Sequence, residues 1–124
     1  MGYIDLHCDA LLHFLLSEDF DLFLSEQSSV DLDRLHRAGA MAQCFAIYQP
    51  SVDELKAKRI GESEYINYII SRFNKSLSDH KDIAALAVSA QEIMRNYQMG
   101  FLSAILTLED GRSVNSEFDK LIAY

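Results

Sequence analysis

Residues 3–9, "YIDLHCD", set Asp5, His7 and Asp9 at every second position, with Ile4, Leu6 and Cys8 between them. In an extended strand, residues i and i+2 share a face. The alternation therefore predicts a strand with one ionisable face and one apolar face turned towards covering helices. His7 and Asp9 project together, with Asp5 one step deeper. An imidazole beside a carboxylate suits a divalent metal such as zinc. The same spacing also fits a buried Asp–His hydrogen bond or a strand with one wet face. A second signal lies at "FLSAILTLEDG" (101–111), an apolar run that ends in Glu109 and turns at Gly111. A carboxylate at the C-terminal end of a parallel strand stands where α/β folds assemble their sites. Taken alone, Glu109 also reads as a solvated loop carboxylate. In one sheet with His7 and Asp9, it makes three metal-type ligands on one rim.

These side chains need elements to position them. After the first strand, "ALLHFLLSE" (10–18) is a short apolar helix or turn, and 19–29 is a loop. Residues 30–40 give one or two helical turns stopped by Gly39, a left-handed cap. "MAQCFAIY" (41–48), bounded by Pro50, reads as a buried strand. Ser51 and Glu54 form a capping box. The helix it opens is expected to run to about Asn74, with Gly61 weakening its middle, and 76–82 to break it. "IAALAV" (83–88) is a short strand. Ser89 and Glu92 open another helix that stops near Gly100, and 101–109 is the strand that ends in Glu109. A final helix starts in "SEFDKLIAY" (116–124). Strands alternating with helices predict βαβ units and a parallel sheet, the α/β class.

Composition narrows the function. A chain of 124 residues, 49% hydrophobic, makes one domain. Its net charge of −8 and the lack of a basic cluster argue against a nucleic-acid partner. Two cysteines without a Cys-x-x-Cys motif argue against a disulfide framework and for a reduced, cytoplasmic setting. No apolar run approaches the ~18 residues of a membrane span. Charge by position 5 argues against a signal peptide. Cys8 and Cys44 read as buried, inert thiols, His13 as structural, and His36 and His80 as surface residues. Tyr48, at the end of the second strand, is a candidate for the substrate pocket and equally a packing residue.

Together, "DLHCDALL", "SSVDLDRLHRAGAMAQCFAIY" and "AILTLEDG" resemble the membrane (renal) dipeptidase family of zinc metallopeptidases, in order over nearly the whole chain. The resemblance implies the N-terminal part of a (β/α)8 TIM-type barrel over residues 1–124, cut after the third barrel strand. It also implies a two-zinc site that hydrolyses dipeptides. His7 and Asp9 correspond to the His-x-Asp metal ligands of the first strand. Glu109 corresponds to the carboxylate that bridges the two metals, and so to a catalytic residue. Asp110 departs from the family pattern, in which many members carry glycine after the glutamate.

Such barrels need roughly 250 residues. The family's two further histidine ligands belong to later strands, and His13, His36 and His80 all precede Glu109. "LIAY" ends inside an apolar helical pattern, as a cut chain would. The isolated chain is therefore expected to be inactive. The alternatives are another metal-dependent barrel hydrolase, acting on a cyclic amide or phosphoester, and a non-catalytic remnant that serves as an interaction module. Asp9 argues against the former, where many members use His-x-His. Part of a barrel leaves two open sheet edges, which predicts a homo-oligomer.

Overall fold

The computed structural model describes residues 2–114. Four parallel strands form one sheet: β1 (Tyr3–Asp5), β2 (Ala40–Ile47), β3 (Ala84–Leu86) and β4 (Leu102–Leu108). Their spatial order is β1-β2-β4-β3. Five α-helices connect them: α1 (His13–Leu16), α2 (Leu32–Arg37), α3 (Val52–Ala57), α4 (Glu62–Asp79) and α5 (Ala90–Gln98). A 3-10 turn precedes α1 and another, Gly111–Val114, follows β4. This is the α/β arrangement with a parallel sheet that the sequence predicts, and it is what part of a (β/α)8 barrel would show. The strand leading to Glu109 lies third in the sheet, directly beside β2. The helix expected over 116–124 lies outside the described residues.

The central pair β2–β4 is the rigid frame. It runs in register from Ala42↔Ser103 to Ile47↔Leu108. One face carries Phe45 and Ile47 of β2 with Leu102 and Ala104 of β4, all in the main core. Helix α4 covers this face with Tyr65, Ile66, Ile69, Phe73 and Leu77, all buried. Their spacing of three to four residues puts them on one stripe. Phe73 meets Phe45 with ring centroids 5.6 Å apart. Each such side chain contributes about 1.5–3 kcal/mol by leaving water.

Helix α5 lies on the other face. Asn96 of α5 donates to the Ser103 hydroxyl at 3.1 Å, and Ser103 has the parity opposite to Leu102. The reason is topological. The step from β2 to β3 passes over β4, and the step from β3 back to β4 crosses the sheet in the opposite direction. Right-handed crossovers in opposite directions place their helices on opposite faces. Helix α5 reaches the sheet near the N-terminal end of β4, away from the C-terminal end where Glu109 stands.

Two expectations need correction. The helix from Ser51 does not run through to Asn74. The capping box of Ser51 and Glu54 forms, but α3 ends at Ala57. Arg59 then takes a left-handed φ of 58°, and Gly61 is the N-cap of a new helix rather than its weak middle. Residues 76–79 continue that helix, with Lys75 bonded to Asp79 one turn on at 2.6 Å. Secondly, Ile4 and Leu6 are not covered by helices; both are exposed, and Ile4, in register with Ala42, lies on the face opposite to Phe45 and α4. Gly39 and Gly100 end their helices at φ +74° and +83° as expected, where a side chain would be strained.

Candidate metal centre

The predicted strand over 3–9 stops at Asp5, yet its chain keeps hold of β2. Asp5 is in register with Gln43. Further on, the Cys8 amide donates to Cys44 at 3.0 Å and the Cys8 carbonyl accepts from Ala46 at 2.9 Å, which sets Cys8 opposite Phe45. Three steps along the first chain match two along β2, so one extra residue bulges between them. A one-residue slip reverses facing. Asp5 and Cys8 therefore share the Gln43–Phe45 side, while His7 and Asp9 fall on the Cys44–Ala46 side. Asp5 is not one step deeper in the same row; its carboxylate instead accepts from the His7 amide at 3.2 Å. Cys8 turns into the core as expected.

Glu109 arrives from β4 on the matching side. Ala46 is in register with Thr107, and Glu109 lies two residues beyond it. The Glu109 amide donates to the Ile47 carbonyl at 3.1 Å, which carries the ladder one step past the strand. His7 Nε2 consequently lies 3.3 Å from Asp9 Oδ1 and 3.8 Å from Glu109 Oε2. Ligand atoms of the three residues all lie within 4.8 Å of one another. The structure thus brings together the three residues that the sequence singles out.

The donor set fits zinc. Bonds of about 2.0–2.2 Å in a tetrahedron put neighbouring ligand atoms roughly 3.3–3.6 Å apart, and the separations of 3.3 Å and 3.8 Å from His7 bracket that range. All three side chains are about half exposed, so the contacts between them add little to stability. Among the described residues, the Asp9 and Glu109 carboxylates meet no partner other than His7, which leaves lone pairs free for a cation.

Other candidates lie elsewhere. Burial pushes the Cys8 thiol up to about 11, so it stays protonated. Burial, aided by the nearby Asp5 charge, also raises Cys44. His13 packs on Phe20 with ring centroids 5.2 Å apart. His36 and His80 are half-buried rather than free on the surface. His36 bonds the Gly100 carbonyl at 3.0 Å, and His80 stacks on Phe23 at 4.0 Å. Tyr48 lines an open groove of about 600 Å³ with Leu12, Leu16 and Pro50; none of the three converging residues lines it. Two residues that the sequence pattern does not mark hold the Glu109 turn. Gln49 donates its side-chain amide to the carbonyl of Glu109, and Arg112 donates to the carbonyls of Gln49 and Pro50. The one sequence sign is that Arg112 follows Glu109 by three residues.

The family model for membrane dipeptidases, peptidase family M19, matches residues 1–124. The chain belongs to the membrane dipeptidase family M19. A solved structure described as a dipeptidase, a metallopeptidase of family M19, superposes with a TM-score of 0.76 at 16% identity. The match covers 99% of this chain and 41% of that one, so this M19 chain spans well under half the length of its structural neighbour. No curated protein matches. Among the described residues, no helix of the M19 chain is long and apolar enough to cross a membrane.

Proposed function

We propose that His7, Asp9 and Glu109 ligate zinc, and that this M19 chain contributes them to a two-zinc site for dipeptide hydrolysis. The observation that carries the reading is the convergence of one imidazole and two carboxylates at the C-terminal rim of a parallel sheet in a member of this family. His7 would offer its Nε2, and Asp9 a carboxylate oxygen, to one of the two metals. Glu109, just beyond β4 and across β2 from His7 and Asp9, would be the carboxylate shared between the two metals. The two carboxylates supply negative charge that offsets the cations. Zinc, when bound, polarises a carbonyl and lowers the pKa of its water.

The described residues supply three ligands. His13, His36 and His80 are engaged elsewhere, so they do not complete the site. On this reading, the chain alone binds zinc weakly and turns over dipeptides negligibly. Its partners are a dipeptide and a second copy of the chain, and its free cysteines fit a cytoplasmic setting.

Zinc titration calorimetry on the 124-residue chain tests the assignment. Weak binding is expected, falling at least 10-fold in each of His7→Ala, Asp9→Asn and Glu109→Gln. Zinc affinity unchanged by all three would overturn the site. Dipeptide turnover by the isolated chain, abolished by a chelator, would overturn its incompleteness.

A further inference from the structure

We infer that Gln49 is a positioning residue for Glu109, locked in place by Arg112. The inference rests on the zinc reading for its functional meaning and on hydrogen bonds for its geometry. Glu109 is the first residue beyond β4, so no full strand holds it. Both of its backbone groups are nevertheless secured by the end of β2 and the chain that follows it. Its amide donates to the Ile47 carbonyl at 3.1 Å. Its carbonyl accepts from Gln49 Nε2 at 3.2 Å. The same Nε2 also bonds the carbonyl of Asp110.

The turn then closes on itself. Asp110 sits at φ +74°, a left-handed conformation that aspartate tolerates better than most residues. Its carboxylate accepts from the Arg112 amide at 3.0 Å. The Arg112 guanidinium reaches back to the carbonyls of Gln49 at 2.9 Å and Pro50 at 2.6 Å. It also pairs with Glu62, at the start of α4, at 2.8 Å. Gln49 is therefore held at its backbone by Arg112 while its side chain holds the turn that bears Glu109. This ring anchors the one ligand that comes from β4, at the position where the sequence carries aspartate rather than the glycine expected after the glutamate.

Gln49 is suited to this task. It is 5% exposed, and both partners of its amide are carbonyl oxygens. Only the nitrogen end can face two acceptors. A glutamate has the same shape but presents oxygens there, so Gln49→Glu removes the donors without removing the volume. A leucine removes them with little change in size.

Two measurements test the inference on the full chain. In the metal-free protein, hydrogen exchange by NMR reads the Glu109 amide. Gln49→Leu and Gln49→Glu should each raise its exchange rate at least 10-fold relative to the amides of residues 103–106. Arg112→Lys, which loses the fork, should raise it less. Unchanged Glu109 exchange in both Gln49 variants would overturn the clamp, whatever the chain does with zinc. The second measurement is zinc affinity by competition with a chromophoric chelator. Loss of support behind a ligand lowers affinity about 10-fold or more, and that is expected for Gln49→Leu. In a Glu109→Gln background the same substitution should leave zinc affinity unchanged, because Gln49 acts through Glu109. An equal loss in both backgrounds would mean that Gln49 supports the fold rather than the ligand, and would overturn the positioning role. A wild-type chain with no zinc affinity would overturn the metal reading and with it that role, while the exchange result would still decide the clamp.

Discussion

Two acid–base clusters in this chain are built in opposite ways. At the start of α2, Asp31 is fully buried and both of its carboxylate oxygens are bonded. It accepts from the amides of Arg34 at 2.8 Å and Ser25 at 3.1 Å, and from Arg34 Nε at 2.7 Å. Arg34 in turn ties down the carbonyls of Ser25 and Ser28. At the sheet rim, Asp9 and Glu109 are half exposed and, among the described residues, meet only His7. The first cluster has no ligand capacity left and stitches a loop to a helix. The second holds its carboxylates in place by backbone and leaves their oxygens available. A satisfied buried charge is structural, whereas converging carboxylates with free oxygens on a rigid frame leave room for a cation.

The sharpest way to break this contrast is at Asp31. Asp31→Ala removes a helix N-cap and a charged acceptor from three donors. A loss of about 3 kcal/mol in urea unfolding is expected, with zinc affinity unchanged. The cluster also has a pH signature. Burial by itself raises the Asp31 carboxyl, but the hydrogen bonds from Arg34 and Ser25 outweigh it and leave it below its ordinary value. A lowered folded pKa means that the stabilisation is present above the unfolded carboxylate value and is lost as pH falls through the folded one. Asp31→Asn should therefore flatten the acid limb of stability against pH. An acid limb as steep as that of the wild type would move the effect to other carboxylates.

Substitution at the rim should do the reverse. His7→Ala, Asp9→Asn and Glu109→Gln remove half-exposed groups whose mutual contacts contribute little. Each should shift urea stability by less than about 0.5 kcal/mol while lowering zinc affinity. A loss of 2 kcal/mol at any of them would make the rim cluster a structural device like that of Asp31.

The contrast also explains what the sequence could show. Short bounded apolar runs and turn residues made β2, β4, both glycine stops and the Ser51 capping box legible, because each depends on neighbours within a few residues. Convergence of His7, Asp9 and Glu109 was legible because parity and strand ends survive folding. The bulge after Asp5 was not, since its cause is the register with β2, some 38 residues away. Nor was the break at Arg59: Ile60 continues the apolar stripe, but the Ile60 amide bonds back to Leu55 and Gly61 starts a new helix. The Gln49–Arg112 ring lay beyond reach because polar contacts between two loops leave no periodic trace.

The smallest expected effect on folding concerns the outer strands. β1 and β3 are the two edges of the sheet. Neither contains the lysine or proline that commonly blunts an edge. Each is flanked by exposed apolar side chains, with Leu6 76% and Val88 80% exposed. About 400 Å² of such surface, if covered, is worth roughly 10 kcal/mol at ~25 cal/mol per Å². Association itself costs about 4–15 kcal/mol, so at most about 6 kcal/mol remains, and self-pairing through an edge should be weak, with a Kd of roughly tens of micromolar at the tightest. Leu6→Lys and Val88→Lys place a charge at each edge without touching the core, so stability should change by less than about 0.5 kcal/mol. Sedimentation equilibrium should show the unmodified chain as a dimer or larger species at several hundred micromolar, and the double variant as a monomer. An unmodified chain that stays monomeric there would mean that these edges are closed in solution, and the same-chain partner proposed above would fall with it.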